Sequence, residues 1–393
     1  LLAQPEASEG WWPESVRQLL GSRSLANSHG PDHRARRQVV GQLFSAAALR
    51  RYSPGIVGLV DELVAELRAA SEPLPLVRAM RRFAFTVIAT VVLGLEGDDR
   101  QALFQDFEIW TRALFSLPLA VPGSPFARAL RARARLLRRL RDVLERARQQ
   151  AAAGAPWAGG LDLLSGGLDE AGLPLGDDDL VEQLLLLLFA GYETTASSLN
   201  CLLAALLRHE AELSWLREEL RGLAWPPAPE QAASAYDAAA APRLAAVVQE
   251  VMRLNPPVGG FFRRTTQDLA LAGVLVPAGR VVQVALAASN RYSDGTAADS
   301  DDLERFRPER HLNGGSGLTL LPFGGGERVC LGKALAELEI RLMAVGLLGR
   351  LRLRLEPDQD LRLRTIPSPS PRDGLLVRVA LEERAATAPS GEA

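Results

Sequence analysis

The segment Pro322-Phe323-Gly324-Gly325-Gly326-Glu327-Arg328-Val329-Cys330-Leu331-Gly332-Lys333 constrains this chain more than any other. Its glycines let the backbone bend tightly and come close to a flat ligand. The apolar spacing that follows predicts a helix from Lys333 to Leu348. A cysteine at a helix start has its thiolate favoured by the helix dipole and by free backbone N–H groups, which can hydrogen-bond the sulfur. Arg328 puts a cation nearby, suited to a carboxylate, and Phe323 can pack against the face of a planar cofactor. Taken alone, a glycine-rich loop with one cysteine reads first as a tight turn whose buried cysteine is incidental.

The other cysteine, Cys201, lies in an apolar helical pattern with Leu199, Leu202, Leu203 and Leu206 and reads as a buried helix residue. Two cysteines in such different settings make no disulfide framework and point to a reducing compartment. With 393 residues, 47% of them hydrophobic, the chain can bury a substantial core as a soluble globular protein. Its 45 basic residues balance 47 acidic ones, which gives no basis for a nucleic-acid partner. The most apolar stretch, 184–207, is interrupted by Glu193 and by Thr, Ser and Asn, so it reads as a central buried helix and not as a membrane span. No signal peptide is visible. The chain opens at Leu1 without Met, and a segment before it is expected to be missing.

Along the chain, helical periodicity predicts elements over 34–49, 54–70, 76–95, 102–116 and 128–150, with a short amphipathic run at 15–20. Residues 151–178 and 222–242 read as loops. Asp177-Asp178-Asp179 favours the start of a long helix over about 179–208. A further helix over 243–254 stops at Asn255-Pro256-Pro257. Short strands are expected at 269–271, 281–285, 351–355, 361–364 and 375–381. The fold class is therefore mainly α with small β-sheets, an α+β arrangement. One domain over 1–384 is expected, followed by a disordered tail over 385–393.

Four further clusters carry chemistry. Glu250-Val251-Met252-Arg253 sets an acid and a base at i and i+3 on one helix face, and Phe306-Arg307-Pro308-Glu309-Arg310 follows. Ala190-Gly191-Tyr192-Glu193-Thr194-Thr195 lies mid-way along the long apolar helix, where Gly and Thr are locally unfavourable. A threonine hydroxyl there can bond back to the preceding turn, and an acid beside an alcohol in an apolar setting suits proton delivery. His33 and Arg37 stand one turn apart on a helix. Arg263 and Arg264 follow Phe261 and Phe262 after the two prolines.

These strings together resemble the cytochrome P-450 family. Phe323, Gly326, Arg328, Cys330 and Gly332 fill every fixed position of its Phe-x-x-Gly-x-Arg-x-Cys-x-Gly signature. Glu250 and Arg253 match its Glu-x-x-Arg motif, Phe306 to Arg310 its Phe-x-Pro-Glu-Arg, and Ala190 to Thr194 its Ala/Gly-Gly-x-Asp/Glu-Thr. The resemblance spans about Trp11 to Val379. The segment around Phe261–Arg263, the His33/Arg37 pair and Pro367-Ser368-Pro369-Ser370-Pro371-Arg372-Asp373 look most like the retinoic-acid hydroxylase branch, which has cyanobacterial members. Asn290-Arg291-Tyr292-Ser293-Asp294 departs from the His-Ala-Asp-Pro-like turn of relatives.

The resemblance implies a triangular helical prism around haem b, lacking its N-terminal segment, with Cys330 as the iron ligand. It implies that His33, Arg37, Ala190, Gly191, Arg263, Phe323, Gly324, Arg328 and Gly332 contact the haem, with Arg264 as the alternative to Arg263. Glu193 and Thr194 would relay protons beside dioxygen. Glu250, Arg253 and Arg310 would form a buried structural network, and Phe261 and Phe262 would touch substrate. The implied activity is hydroxylation of an apolar, retinoid- or isoprenoid-like molecule with O2 and two electrons from a ferredoxin- or flavodoxin-type donor. The implied protein is a monomer of the bacterial cytoplasm, with peripheral membrane contact. A peroxide-dependent fatty-acid hydroxylase is the alternative enzyme, and the retained acid–alcohol pair argues against it. A haem-binding sensor, or an inactive truncated product, is the non-enzymatic alternative.

Overall fold

A computed structural model describes residues 4–155, 157, 159–291, 300–312 and 320–380. The expected tail over 385–393 and the Tyr292-Ser293-Asp294 part of the departing turn lie outside the described residues. The helices are α1 Glu14–Leu20, α2 Gly30–Gly41, α3 Ala46–Ala69, α4 Leu76–Val87, α5 Gly97–Thr111, α6 Pro125–Ala152, α7 Leu161–Ser165, α8 Asp177–Arg208, α9 Glu210–Leu220, α10 Pro242–Leu254, α11 Leu286–Ser289, α12 Ser300–Glu304 and α13 Lys333–Leu348. The strands are β1 Ser8–Gly10, β2 Leu74–Pro75, β3 Phe261–Thr265, β4 Leu269–Leu271, β5 Val274–Val276, β6 Val281–Val284, β7 Leu353–Leu355, β8 Leu363–Arg364, β9 Ser370–Pro371 and β10 Leu376–Val379. All pairings among the described strands are antiparallel, in the orders β1-β3-β6, β2-β10-β7, β4-β5 and β8-β9.

Helix α8 is the axis of the molecule. Its first turn carries Asp177, Asp178 and Asp179, which the positive helix end favours. It packs against α4, α6, α10 and α13, so side chains around most of its circumference are buried in one continuous apolar cluster. A helix apolar on all sides must be enclosed in this way. Around its middle it presents Ala190, Gly191, Thr194 and Ser198 to a cavity.

Two helix boundaries depart from the periodicity. The pattern over 34–49 predicts one helix, with a new start at Pro54. Instead the chain breaks at Ser45, whose side chain accepts from the Ala48 amide at 3.2 Å and caps α3, and Pro54 sits inside α3. The cap satisfies an otherwise free N–H at the helix start, so Ser45 outweighs the more obvious proline. Downstream of α4, Ile88–Val92 forms a widened π turn where one continuous helix to Leu95 was expected. Helix α9 and strands β3 and β5 add to the expected elements, and the 151–178 loop contains α7. Helix α13 keeps the predicted bounds.

Candidate active site

A cavity of about 390 Å³ opens between α2, the middle of α8, β3 and the cysteine loop. Cys330, Phe323, Gly324, Arg328 and Gly332 line it from the loop, His33 and Arg37 from α2, and Ala190, Gly191 and Thr194 from α8. Phe261, Phe262 and Arg263 line it from β3. Residues hundreds of positions apart in sequence thus share one wall.

The loop closes on itself where the Cys330 amide donates to the Phe323 carbonyl at 3.0 Å. Gly324 adopts a φ of 71°, a left-handed turn that favours glycine. Cys330 stands just before α13, where the Gly332 and Lys333 backbone amides favour charge on its sulfur. Desolvation pushes the Cys330 thiol up, while those amides and the Arg37 charge pull the other way. The net shift is upward, so a thiolate here needs a further positive centre, which a bound metal supplies.

Three guanidiniums gather at this end of the cavity. Arg37 donates to the Val329 carbonyl at 2.6 Å, and Arg328 to the Ser28 carbonyl at 2.6 Å. Arg263 donates to the Phe262 carbonyl at 3.0 Å and lies 4.5 Å over the Phe261 ring. Burial lowers all three, and Arg263 reaches about 10. His33 is 3% exposed, and burial with the Arg328 and Arg37 charges takes it down to about 4. Only Glu327, 3.8 Å from Arg328, offers these three arginines an ion pair among the described residues. Arg264, by contrast, turns to Glu9 on β1, with Nε 2.7 Å from the carboxylate. Strand alternation therefore separates the two candidates and leaves Arg263 in the cavity.

Haem b is a flat macrocycle bearing two carboxylates, and this donor set fits it. A cluster of buried cations short of anions suits the carboxylates, the glycine loop suits the flat face, and the cysteine suits the metal.

Thr194 donates from Oγ1 to the Ala190 carbonyl at 2.6 Å, the back-bonding expected of a threonine inside a helix. Gly191 packs closely on its neighbour: a Cβ there would lie 2.9 Å from Ile88 Cδ1 and Cγ1, on the widened turn after α4, so Ile88 would have to shift. Glu193 does not line the cavity. It is buried and pairs with Arg81 of α4 at 3.1 Å. Burial pushes its carboxyl up, and Arg81 opposes the shift.

Away from the cavity, Glu250 and Arg253 are fully buried and doubly bonded, at 2.8 and 2.9 Å. Arg310 Nε reaches the same carboxylate at 3.0 Å. His311 Nε2, at 2.7 Å, and the Arg307 amide, at 2.9 Å, complete the set and were not singled out from sequence. Burial raises the Glu250 carboxyl, yet Arg253, His311 and the Arg307 amide outweigh it and hold it at about 2. The network ties α10 to the turn at Pro308–His311, upstream of the cysteine loop.

The family model for cytochrome P-450 matches residues 7–377. The chain is a cytochrome P-450. It is accordingly a monooxygenase of the oxidoreductases whose cofactor is haem b. A Synechocystis protein named as cytochrome P-450 120 is 36% identical over 96% of this chain and 83% of its own length. Cytochrome P-450 26B1 of Danio rerio is 36% identical over 93% of this chain and 73% of its own. A solved structure described as retinoic acid bound cyanobacterial CYP120A1 has a TM-score of 0.85 at 34% identity, covering 96% of this chain and 85% of its own. The family and that structure bear out the expected α+β prism and the likeness to the retinoic-acid hydroxylase branch. In this cytochrome P-450, no helix among the described residues is long and apolar enough to cross a membrane.

Proposed function

We propose that this cytochrome P-450 hydroxylates a retinoid- or isoprenoid-like molecule with electrons from a ferredoxin- or flavodoxin-type donor. The observation that carries the reading is the wall facing Cys330. Trp12, Ile88, Leu186, Leu187, Phe261 and Phe262 enclose the same cavity as the thiol, and such a wall favours a long apolar substrate by burial alone. The solved relative that holds retinoic acid supports the same class.

Haem supplies activation of dioxygen at its iron when bound, with Cys330 as the sulfur ligand. Around it, His33, Arg37, Arg263 and Arg328 hold the carboxylates. The Gly332 and Lys333 amides and Arg37 hold charge on the Cys330 sulfur. Phe323 and Gly324 shape the loop side of the cavity, and Ala190 and Gly191 the α8 side. Phe261 and Phe262 touch substrate. Thr194 holds a proton at Oγ1 inside the cavity. Glu193, tied to Arg81 outside the lining, exchanges protons with it through solvent. The Glu250, Arg253 and Arg310 network fixes the segment leading into the cysteine loop. The reading extends to one domain over 1–384 and to a cytoplasmic monomer, which size-exclusion with light scattering checks.

Two spectra test it. Reduced protein under CO is expected to show the thiolate-type band, and all-trans retinoic acid is expected to shift the iron toward high spin. NADPH, ferredoxin and its reductase should then yield a hydroxylated retinoid. A histidine-type CO band overturns the site assignment. A thiolate band with no response to any retinoid or isoprenoid overturns the substrate class.

A further inference from the structure

The segment between α1 and α2 forms part of the cavity wall through Leu25 and Ala26. It contains no regular helix apart from one 3-10 turn, Leu25–Asn27, so its backbone polar groups need other partners. Ser24, Asn27 and the 3-10 turn meet several of them within the segment, Trp12 Nε1 donates to the Ala26 carbonyl at 3.2 Å, and a single side chain of α8 meets two more. Gln183 of α8 is 1% exposed and also lines the cavity. Its Nε2 donates to the Arg23 carbonyl at 2.7 Å and to the Asp179 carbonyl at 3.0 Å, and its Oε1 accepts from the Leu25 amide at 2.7 Å. One primary amide therefore reads a carbonyl and an N–H two residues apart on the same strand of chain, and a third bond fastens it to its own helix.

The adjacent residue of α8 repeats the grip from outside the cavity. Glu182 accepts from the Arg23 amide at 2.8 Å and pairs with Arg133 of α6. At its far end the segment is held by Arg328, which donates to the Ser28 carbonyl at 2.6 Å. The segment thus hangs between a side chain of α8 and an arginine of the cysteine loop, with Leu25 and Ala26 facing inward between the two anchors.

We propose that Gln183 is a positioning residue for substrate: by pinning Arg23 and Leu25 to α8 it fixes the wall that orients the bound molecule over the thiolate side of the cavity. The proposal rests on the reading that this cavity binds the apolar substrate. Gln183 makes the bonds to the segment with both ends of its amide, so its neutral, two-sided chemistry is required. Leucine keeps the volume and loses every bond. Glutamate keeps the acceptor for the Leu25 amide, but sets a carboxylate oxygen against the Arg23 and Asp179 carbonyls.

The test is hydrogen–deuterium exchange on the haem-loaded, ligand-free protein, comparing wild type with Gln183→Leu, Gln183→Glu and Glu182→Gln. Peptides over 21–28 should exchange at least about tenfold faster in Gln183→Leu, with α10 and α13 peptides and the CO spectrum unchanged; tenfold corresponds to losing one ordinary hydrogen bond. Glu182→Gln, which leaves the cavity lining untouched, should loosen the same peptides less. Retinoic acid should bind at least about tenfold more weakly to Gln183→Leu, and its hydroxylation should spread over more carbon positions. Unchanged exchange over 21–28 overturns the proposal, as does a loosened segment with unaltered retinoid affinity and product pattern. If wild type binds no retinoid, the substrate reading fails separately. The clamp is then judged on 4-phenylimidazole, whose affinity must fall in Gln183→Leu for the proposal to stand. Should Gln183→Leu fail to load haem, Gln183→Glu, which loses the bond to the Arg23 carbonyl, decides the exchange arm and the affinity arm.

Discussion

The Arg37 guanidinium donates to the carbonyl of Val329 at 2.6 Å, one residue before the thiol that faces the cavity. A cation of α2 is thus anchored to the backbone of the cysteine loop while its charge acts on Cys330, and among the described residues no carboxylate forms an ion pair with it. Arg37→Met keeps most of the apolar stem and removes the bond and the charge. A hydrogen bond to a charged group contributes about 1.5–3 kcal/mol, so haem should be held roughly 10- to 100-fold less tightly. Transfer of haem to apomyoglobin measures this, and an unchanged transfer rate would remove Arg37 from the carboxylate-binding set.

The Glu250 network should be visible in acid. Its carboxyl lies at about 2 when folded, below the ordinary carboxylate range near 4.3. A depressed acid contributes stability that is fully present above the unfolded value and is lost as pH falls through the folded one. Wild type should therefore lose stability between about pH 4.5 and pH 2 through this group. Glu250→Gln should be less stable at neutral pH, with a shallower acid limb. Arg253→Met leaves a buried carboxylate short of its cation and should cost about 3–5 kcal/mol at neutral pH. Urea titrations across pH report both, and equal acid slopes in wild type and Glu250→Gln would contradict the assignment.

What the sequence made legible follows from how local each signal is. Cys330, Arg328 and Phe323 sit in one short string, and α13 begins and ends where apolar spacing does. Thr194 was readable because a polar pair is conspicuous inside an apolar helix. His311 was not, since its partner Glu250 lies 61 residues away and nothing nearby marks a lone histidine as buried. Gln183 escaped for a related reason: its role depends on loop backbone that no periodicity locates. Strand β3 was masked because the run Phe261-Phe262-Arg263-Arg264 sets like residues side by side and shows no apolar–polar alternation, although its backbone alternates as a regular strand between β1 and β6. Glu193 was conspicuous as an acid inside an apolar helix, but its Arg81 partner, on a different helix, was not.

Gly191 is held small by Ile88, and the sign of a substitution depends on how Ile88 responds. Alanine gains about 1 kcal/mol of helix propensity over glycine. Its Cβ would meet Ile88 Cδ1 and Cγ1 at 2.9 Å. Ile88 itself lines the cavity and can yield into it. Gly191→Ala should therefore fold with stability within about 1 kcal/mol of wild type, yet bind bulky retinoids more weakly than slim fatty acids. Gly191→Val adds branches that Ile88 cannot clear and should cost about 1–3 kcal/mol. Thermal melts and spin-state titrations separate the two effects. A Gly191→Ala protein with undiminished retinoid affinity would show that Ile88 relaxes away from the cavity.

The Thr194 hydroxyl and the Glu193–Arg81 pair make opposite predictions for coupling and for pH. Thr194→Val keeps the branched shape and removes Oγ1, the proton-bearing atom of this pair inside the cavity. Hydroxylation should fall about a hundredfold, while NADPH is still consumed and hydrogen peroxide accumulates in place of product. Thr194→Ser restores the hydroxyl and should recover most of the coupling, which a merely structural role for the side chain would not produce. Glu193 acts at a distance from the cavity, so its signature is a pH dependence. Burial raises its carboxyl and Arg81 lowers it. Arg81→Met leaves burial unopposed, moves the carboxyl further up, and should carry the acid limb of the turnover profile to higher pH. Glu193→Gln should abolish that limb. Product yield per NADPH, followed across pH in the four variants, reads out both residues. An acid limb that stays in place in Arg81→Met would mean that another group supplies the proton.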